Sequence, residues 1–370
     1  MAMTLDGSNG VTFNDSSLQG AAASPFGLKN RIINGDMRIN QRNLGTVNPV
    51  SSDTLKYTID RFWVYNSNAS SKFSVQQSST APAGFVNSAL ITVTNAYTPT
   101  GGDEFEIGQY IEGLNVADLD WGTANAKTVT LSFWVRSSVT GTFGGSLVNS
   151  GYNRSYPFSY TISASNTWEQ KSITITGDTT GTWLTTSGVG IRLQLSLGVG
   201  STKTTTAGAW TAGEYYNSTG SVNLVATAGA TFYLTGVQLE VGSTATPFER
   251  RLYGQELANC QRYFISYGGD SVYNKAAYGG TANSGTIVVG FVSFPVQMRS
   301  APSFGSTGSW SVSDGVTGTA VTSLAIVANQ TSSLIGMLTA SVASGLTTYR
   351  VYWIESNNST ASKISWSAEL

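Results

Sequence analysis

The side chains whose type and spacing best suit hydrolytic chemistry are two acidic groups, Asp103-Glu104-x-Glu106 and Asp118-Leu119-Asp120. Cleavage of a glycosidic bond needs two carboxyl groups flanking that bond, one of them held protonated. The same residues serve equally as solvated turn residues, so the spacing alone does not make a glycosidase. Composition closes most other catalytic routes. The chain contains no histidine, which removes Ser-His-Asp and Cys-His triads, imidazole ligands for zinc and a histidine pH switch. The single cysteine, Cys260, has apolar neighbours and reads as an inert buried thiol with no disulfide partner. The glycine-rich runs Gly198-Val199-Gly200 and Gly268-Gly269 lead into no helical pattern, so no phosphate cradle forms at a helix start. The reading is a protein that is not an enzyme.

Non-covalent recognition suits the composition better. Charged residues are 11% of the chain and the net charge is −1, against about 25% charged residues in ordinary domains. That leaves no field to attract nucleic acid or anionic lipid, and solubility falls to Ser, Thr, Asn and Gly, as in extracellular or virion β-proteins. The 9 Trp, 17 Tyr and 15 Phe exclude disorder. Neutral saccharides are held by aromatic faces together with amide and hydroxyl groups. Trp183, Trp210, Tyr215 and Tyr216 lie in the turn-rich stretch 177–221, and Tyr267, Tyr273, Tyr278 and Trp310 occupy loop positions further on. These eight are the candidate carbohydrate-binding residues. Packing beneath long loops, or across an interface between subunits, is the alternative for each.

Strands must carry these residues. Segments of period two recur between turn signals at 59–65, 72–77, 88–94, 105–112, 128–137, 141–149, 156–163, 168–176, 189–197 and 231–241. In 128–137, Val129, Leu131, Phe133 and Val135 alternate with Thr128, Thr130, Ser132 and Trp134. One apolar face per strand, with little helical periodicity between strands, predicts two antiparallel sheets packed face to face. The fold class is therefore all-β: a jelly-roll sandwich over 29–250, a short linking helix over 251–265 and a second, smaller β-sandwich over 266–370. Residues 1–28 are polar, with too few apolar side chains for a core, and read as an attachment segment that orders against a partner. The opening MAMTLDGSNG lacks the basic and apolar regions of a signal peptide, and no run approaches the roughly 20 apolar residues that span a bilayer. Synthesis in the cytoplasm without membrane insertion is expected.

Several segments resemble jelly-roll carbohydrate-binding modules. Asn34-Gly35-Asp36 is similar to their N-terminal NGD-type motif, and 127–137, 168–175 and 232–239 are similar to three of their strands, in the same order. In many such modules an acidic residue of the closing strand joins the N-terminal Asp around a structural calcium. Here Thr235-Gly236 stands in that place, with Glu240 further on. Asp36 remains the one candidate calcium ligand, assisted by backbone oxygens, with the capping of a turn as its alternative. No other cofactor is implied.

A second resemblance rests on 32–42 (IINGDMRINQR), 59–63 (IDRFW), 111–120, 247–251 (PFERR) and 253–264 (YGQELANCQRYF). Together these look like tail-fibre or tail-tip receptor-binding proteins of bacteriophages. The resemblance implies a virion protein, usually a homotrimer, that attaches to host polysaccharide or lipopolysaccharide. Residues 1–28 would then join it to other tail proteins and 266–370 would form its tip. The alternatives are a carbohydrate-binding module of a surface or capsid decoration protein and a polysaccharide-depolymerising tailspike. Glu249, Arg250, Arg251, Glu256 and Arg262 gather scarce charge at the joint between the two units, as ion pairs within or between chains or as a solvated helix face. Exposed pairs contribute only about 0–1 kcal/mol each, so a role in oligomer or hinge specificity is expected of them.

Overall fold

The computed structural model describes residues 29–50 and 55–370, without the side chains of residues 278 and 279. Of the preceding segment it gives only the backbone of three short antiparallel strands, Thr4–Asp6, Gly10–Thr12 and Leu18–Gln19. The attachment role expected of 1–28 lies outside the described residues.

The first unit is an antiparallel sandwich. Its seven-stranded sheet runs in the order Thr211–Ala212, Arg154–Ile162, Gly141–Val148, Val189–Val199, Glu104–Glu112, Phe62–Asn66 and Lys56–Ile59. The five-stranded sheet runs Glu169–Ile175, Val129–Ser137, Thr231–Val241, Ser88–Val93 and Phe73–Ser78. Val129, Leu131, Phe133 and Val135 are fully buried between the sheets, as their alternation requires. Phe105, Ile107, Leu193 and Leu195 meet them from the seven-stranded sheet in one continuous core.

The motif segments converge on the joint. Asn34 takes a positive φ of 60°; its side chain donates to the carbonyls of Ile39 (2.8 Å) and Asp60 (2.9 Å) and accepts from the Ile39 N–H (2.9 Å). Gly35 lies against a bulge in the closing strand between Thr235 and Gln238, where a Cβ would overlap the Val237 carbonyl oxygen. The glycine permits this close approach of two backbones. Phe248 of the PFERR segment packs beside it and meets Phe85 edge-on at 5.2 Å.

The helix spans Tyr253–Gln261, shorter than the 251–265 expected. Leu252 before it is extended, and Phe264 and Ile265 already pair with Ser367 and Trp366, so tertiary pairing overrides helical pattern there. The charges around the helix find partners within the chain. Arg251 pairs with Glu249 (3.0 Å) and Glu256 (3.2 Å), Glu256 accepts the Asn34 N–H, and Arg262 grips Glu112. Arg250 stands over Phe85 at 4.7 Å. Glu256 is buried, so it is not part of a solvated face. Cys260 is fully buried, and desolvation pushes its thiol well above the ordinary range.

The second unit takes a specific two-part form. Six strands, Lys275–Ser284, Ile287–Ser293, Ile335–Val342, Gly318–Ile326, Trp310–Ser313 and Val351–Ser356, close into an antiparallel barrel. A three-stranded sheet of Phe264–Gly268, Lys363–Ser367 and Ser303–Thr307 packs with it. Closure leaves those six strands without free edges. Val312, Leu338, Ala340, Ile354 and Trp366 form the core. The units are locked by Glu369, which pairs with Arg42 (2.6 Å) and with the fully buried Arg61, whose guanidinium stacks 3.6 Å from the Tyr263 ring. No helix among the described residues is long and apolar enough to cross a membrane.

Candidate functional site

One face of the seven-stranded sheet fills the core; the other forms a cleft. Along Glu104–Glu112 the alternation is mixed: Phe105, Ile107 and Ile111 point inward, leaving Glu104, Glu106, Gly108 and Tyr110 on the outer face. Register then sets three rows across adjacent strands. Tyr65, Glu106 and Ser196 are opposite one another; so are Trp63, Gly108, Gln194 and Ser146; and Tyr110 faces Arg192. Gly108 makes room for the Trp63 indole, since a Cβ there would strike its six-membered ring. The ring lies tilted against Tyr110 at 5.1 Å.

The chain between residues 200 and 221 folds back over this face. Its Thr204–Thr205 and Asn217–Ser218 segments pair in parallel, and Asn217 donates to the Ser196 hydroxyl at 3.0 Å. This brings Glu214 and Tyr216 opposite Glu104 and Glu106. Lys203 is the clasp, with its ammonium 3.0 Å from Glu104 Oε1 and 2.6 Å from Glu214 Oε2. The Tyr216 hydroxyl donates to the other Glu214 oxygen. Burial alone would lower the Lys203 pKa, but the bonds to Glu214 and Glu104 outweigh it and hold the ammonium above its ordinary value.

The resulting cavity has a volume of about 210 Å³, walled by Trp63, Tyr65, Tyr110, Tyr152 and Tyr216, with Glu104, Glu106, Gln194 and Glu214 as its polar groups. At about 30 Å³ per water it holds about seven waters, a scale that suits one small ring rather than a large ligand. Glu106 and Gln194 are each 3% exposed. Glu106 Oε1, Gln194 Nε2 and Trp63 Nε1 are buried without a hydrogen-bond partner among the described residues. An unpaired buried polar group costs about 1–3 kcal/mol, so three on one face mark a surface built to meet something else. Burial first, and then the like charge of Glu104, push the Glu106 carboxyl well above the usual carboxylate range. It therefore takes up a proton more readily than a solvated carboxyl does.

Of the eight aromatic residues expected to bind carbohydrate, Tyr216 is the one whose described side chain lines this cleft. Tyr215 is half-buried against Gly213, and its N–H donates to the Ser155 hydroxyl. Trp183 and Trp210 form an edge-to-face trio with Trp121, centroids 4.8 to 5.3 Å apart. Their indole N–H groups are engaged by Asp178 and the Thr176 carbonyl, and both rings pack half-buried against the sandwich core. Trp310 is a correction: it is 5% exposed inside the barrel, a strand residue rather than a loop residue, with its N–H donated to the Thr307 carbonyl. Tyr267 packs half-buried against the same core. Tyr273 is half exposed at a φ of 59°. The side chain of Tyr278 lies outside the described residues.

The acidic groups divide similarly. Glu104 and Glu106 enter the cleft, whereas Asp103 ties a turn by accepting from Tyr97 and the Thr100 N–H. Asp118 pairs with Arg31 and Asp120 with Lys127. Asp36 meets Arg38 at 3.1 Å, so an arginine stands at the carboxylate that the sequence offers to calcium. Among the described residues no three His, Cys, Asp or Glu side chains converge as a metal site. Trp63, Tyr65, Tyr110, Tyr152, Gln194 and Glu214 were not legible as site residues. The available signal was the Glu104-x-Glu106-x-Gly108-x-Tyr110 alternation on a strand whose other face is apolar.

The chain matches no family profile and no curated protein. Several solved structures are similar to part of it. A bacteriophage CBA120 tailspike protein 4 domain is 13% identical over 58% of this chain, with a TM-score of 0.32; the chain spans 21% of that protein. A family 4 carbohydrate-binding module is 16% identical over 56% of this chain and 98% of its own, with a TM-score of 0.28. A family 11 carbohydrate-binding module of Clostridium thermocellum is 11% identical over 50% of this chain and 91% of its own, with a TM-score of 0.28. At these values the likenesses do not bear on what this chain binds.

Proposed function

We propose that this chain is a bacteriophage tail fibre or receptor-binding protein that attaches to host-surface glycans without cleaving them, through the cleft on its seven-stranded sheet. The observation that carries the binding reading is the cleft itself: five aromatic side chains around buried, unpartnered polar atoms. That combination of ring faces and convergent hydrogen-bonding groups suits sugar rings, which are apolar on their faces and polar at their edges. The tail assignment is supported by the motif segments, which here converge on one joint between two β units. On this reading the virion is its location, a homotrimer its working form, and other tail proteins its partners through 1–28.

Binding without hydrolysis is supported by the clasp. Glycoside cleavage needs an ionised carboxylate free to act across the bond from the acid. Lys203 ties both Glu104 and Glu214 to one ammonium, and among the described residues Glu106 is the remaining acid of the cleft.

The test is a glycan panel probed with the purified full chain and with a Tyr65→Ala/Tyr152→Ala double variant. Binding of at least one oligosaccharide by the wild type, lost in the variant, is expected, with no reducing ends released on prolonged incubation. Binding that survives the double substitution removes the cleft from the proposal, and reducing-end release would turn the reading to a depolymerising tailspike.

A further inference from the structure

We propose that Glu106 and Gln194 form a subsite that grips a hydroxyl of one uncharged sugar unit, so that the cleft takes neutral glycans and rejects both anionic and free-amine ones. The inference rests on the glycan-binding reading and specifies its ligand class. The two residues occupy adjacent strands on the same face. Gln194 is opposite Gly108 and Glu106 opposite Ser196, which makes them diagonal neighbours with Cβ atoms roughly 7–8 Å apart or less. Each is almost wholly buried, and between them they leave an unpartnered acceptor, Glu106 Oε1, and an unpartnered donor, Gln194 Nε2.

A hydroxyl both donates and accepts, so one such group can satisfy both atoms at once. An ammonium only donates and would leave the Gln194 N–H unpaired; a carboxylate or sulfate oxygen only accepts and would leave a carboxylate acceptor unpaired. An anionic sugar also needs a cation, and among the described residues Lys203 and Arg192, beside the cleft, already engage neighbours, with the buried Arg192 Nε left unpaired. Lys203 is held between Glu104 and Glu214. Arg192 is stacked 4.5 Å from the Tyr110 ring and 3.8 Å from the Tyr152 ring and donates to the Ser150 carbonyl at 3.4 Å. With Glu104, Glu106 and Glu214 all facing the cavity, added negative charge is disfavoured.

The full chain is titrated calorimetrically with neutral gluco-, galacto-, manno- and xylo-hexasaccharides, oligogalacturonate, a sulfated heparin-derived hexasaccharide and a chitosan hexamer. At least one neutral probe is expected to bind about tenfold or more tightly than any charged one. Equal or tighter binding of a charged probe overturns this inference while leaving the glycan-binding reading intact; binding of none of the probes removes both. Glu106→Leu and Gln194→Leu, checked for an unchanged circular dichroism spectrum, are each expected to weaken the neutral probe about tenfold. Glu106→Gln, which keeps both a donor and an acceptor, is expected to stay within about threefold. A folded leucine variant that binds like the wild type overturns the proposal, and the wild-type comparison decides it if neither variant folds.

Discussion

Arg262 and Glu112 meet in a two-pronged pair across the joint, Nε to Oε2 at 2.9 Å and Nη2 to Oε1 at 2.6 Å. Glu112 ends Glu104–Glu112, an interior strand of the seven-stranded sheet, and Arg262 follows the helix that leads into the second unit. The Glu112 side chain is 1% exposed and also accepts the Tyr263 hydroxyl. Removing the arginine leaves a buried carboxylate short of its main partner, which costs about 3 kcal/mol or more. Arg262→Ala is therefore expected to lower the chemical-denaturation free energy by that amount. A loss below 1 kcal/mol would show the pair to be dispensable.

The same pair sets an acid limit. Burial raises the Glu112 pKa, but the hydrogen bonds from Arg262 and Tyr263 outweigh it and hold the carboxyl below its ordinary value. A depressed folded pKa gives stability that is present in full above the unfolded value of about 4.3 and lost as pH falls through the folded one. Between pH 5 and 3 the wild-type Tm should fall further than that of Glu112→Gln, which has no proton to bind. Parallel melting curves for the two proteins would contradict this.

Gly35→Ala tests the motif joint. The new Cβ would overlap the Val237 carbonyl oxygen, a backbone atom held in the closing strand, with Phe248 on the other side. Backbone cannot swing aside as a side chain can, so a cost of about 3 kcal/mol or more is expected. Differential scanning calorimetry would register it as a large drop in Tm; a drop of a degree or two would mean that the strand moves freely.

What the sequence made legible follows from where physics is local. Val129, Leu131, Phe133 and Val135 alternate because one sheet face is buried, and no distant residue is needed to read that. The PFERR and QELANCQRYF segments were equally readable as special, since Glu249, Arg251, Glu256 and Arg262 are rare charges in a weakly charged chain. That Glu256 caps the Asn34 N–H 222 residues away was not. The cleft was hidden for a similar reason. Trp63 sits in FWVYN, a strand with both faces nearly buried, so nothing local says which face meets solvent. Trp183 and Trp210 looked like ligand platforms because their segment is rich in turns, yet Trp121 from another loop was waiting for them. Glu104 and Glu106 read locally as an acidic pair, and only the register of Glu106 with Tyr65 and Ser196 turns them into a site.

Tyr152 offers the cleanest probe of the aromatic wall. It is 38% exposed at the cleft mouth, so folding does not depend on it heavily. Loss of one aromatic face contributes about 0.5–1.5 kcal/mol, or about a two- to tenfold weakening of glycan binding at 1.4 kcal/mol per decade. Tyr152→Ala is expected to show that loss in calorimetric titration with its Tm nearly unchanged, and Tyr152→Phe to retain most of the affinity. Equal binding by all three proteins would take Tyr152 out of the wall.

Glu106 should reveal the site even before a ligand is known, because recognition is set against stability there. Its carboxyl is pushed well above the ordinary range by burial and by the nearby charges of Glu104 and Glu214, with only Lys203 opposing. The folded protein therefore holds this proton more tightly than the unfolded chain. By linkage the contribution is present in full below the unfolded value of about 4.3 and is lost as pH rises towards and through the folded value. Glu106→Gln keeps the shape and a donor–acceptor pair but has no proton to lose. Its Tm should match the wild type near pH 4 and exceed it by a growing margin towards pH 8. A variant less stable than the wild type at pH 8 would mean that the ionised carboxylate is satisfied in the fold, and Glu106 would then be a structural residue rather than a ligand's partner.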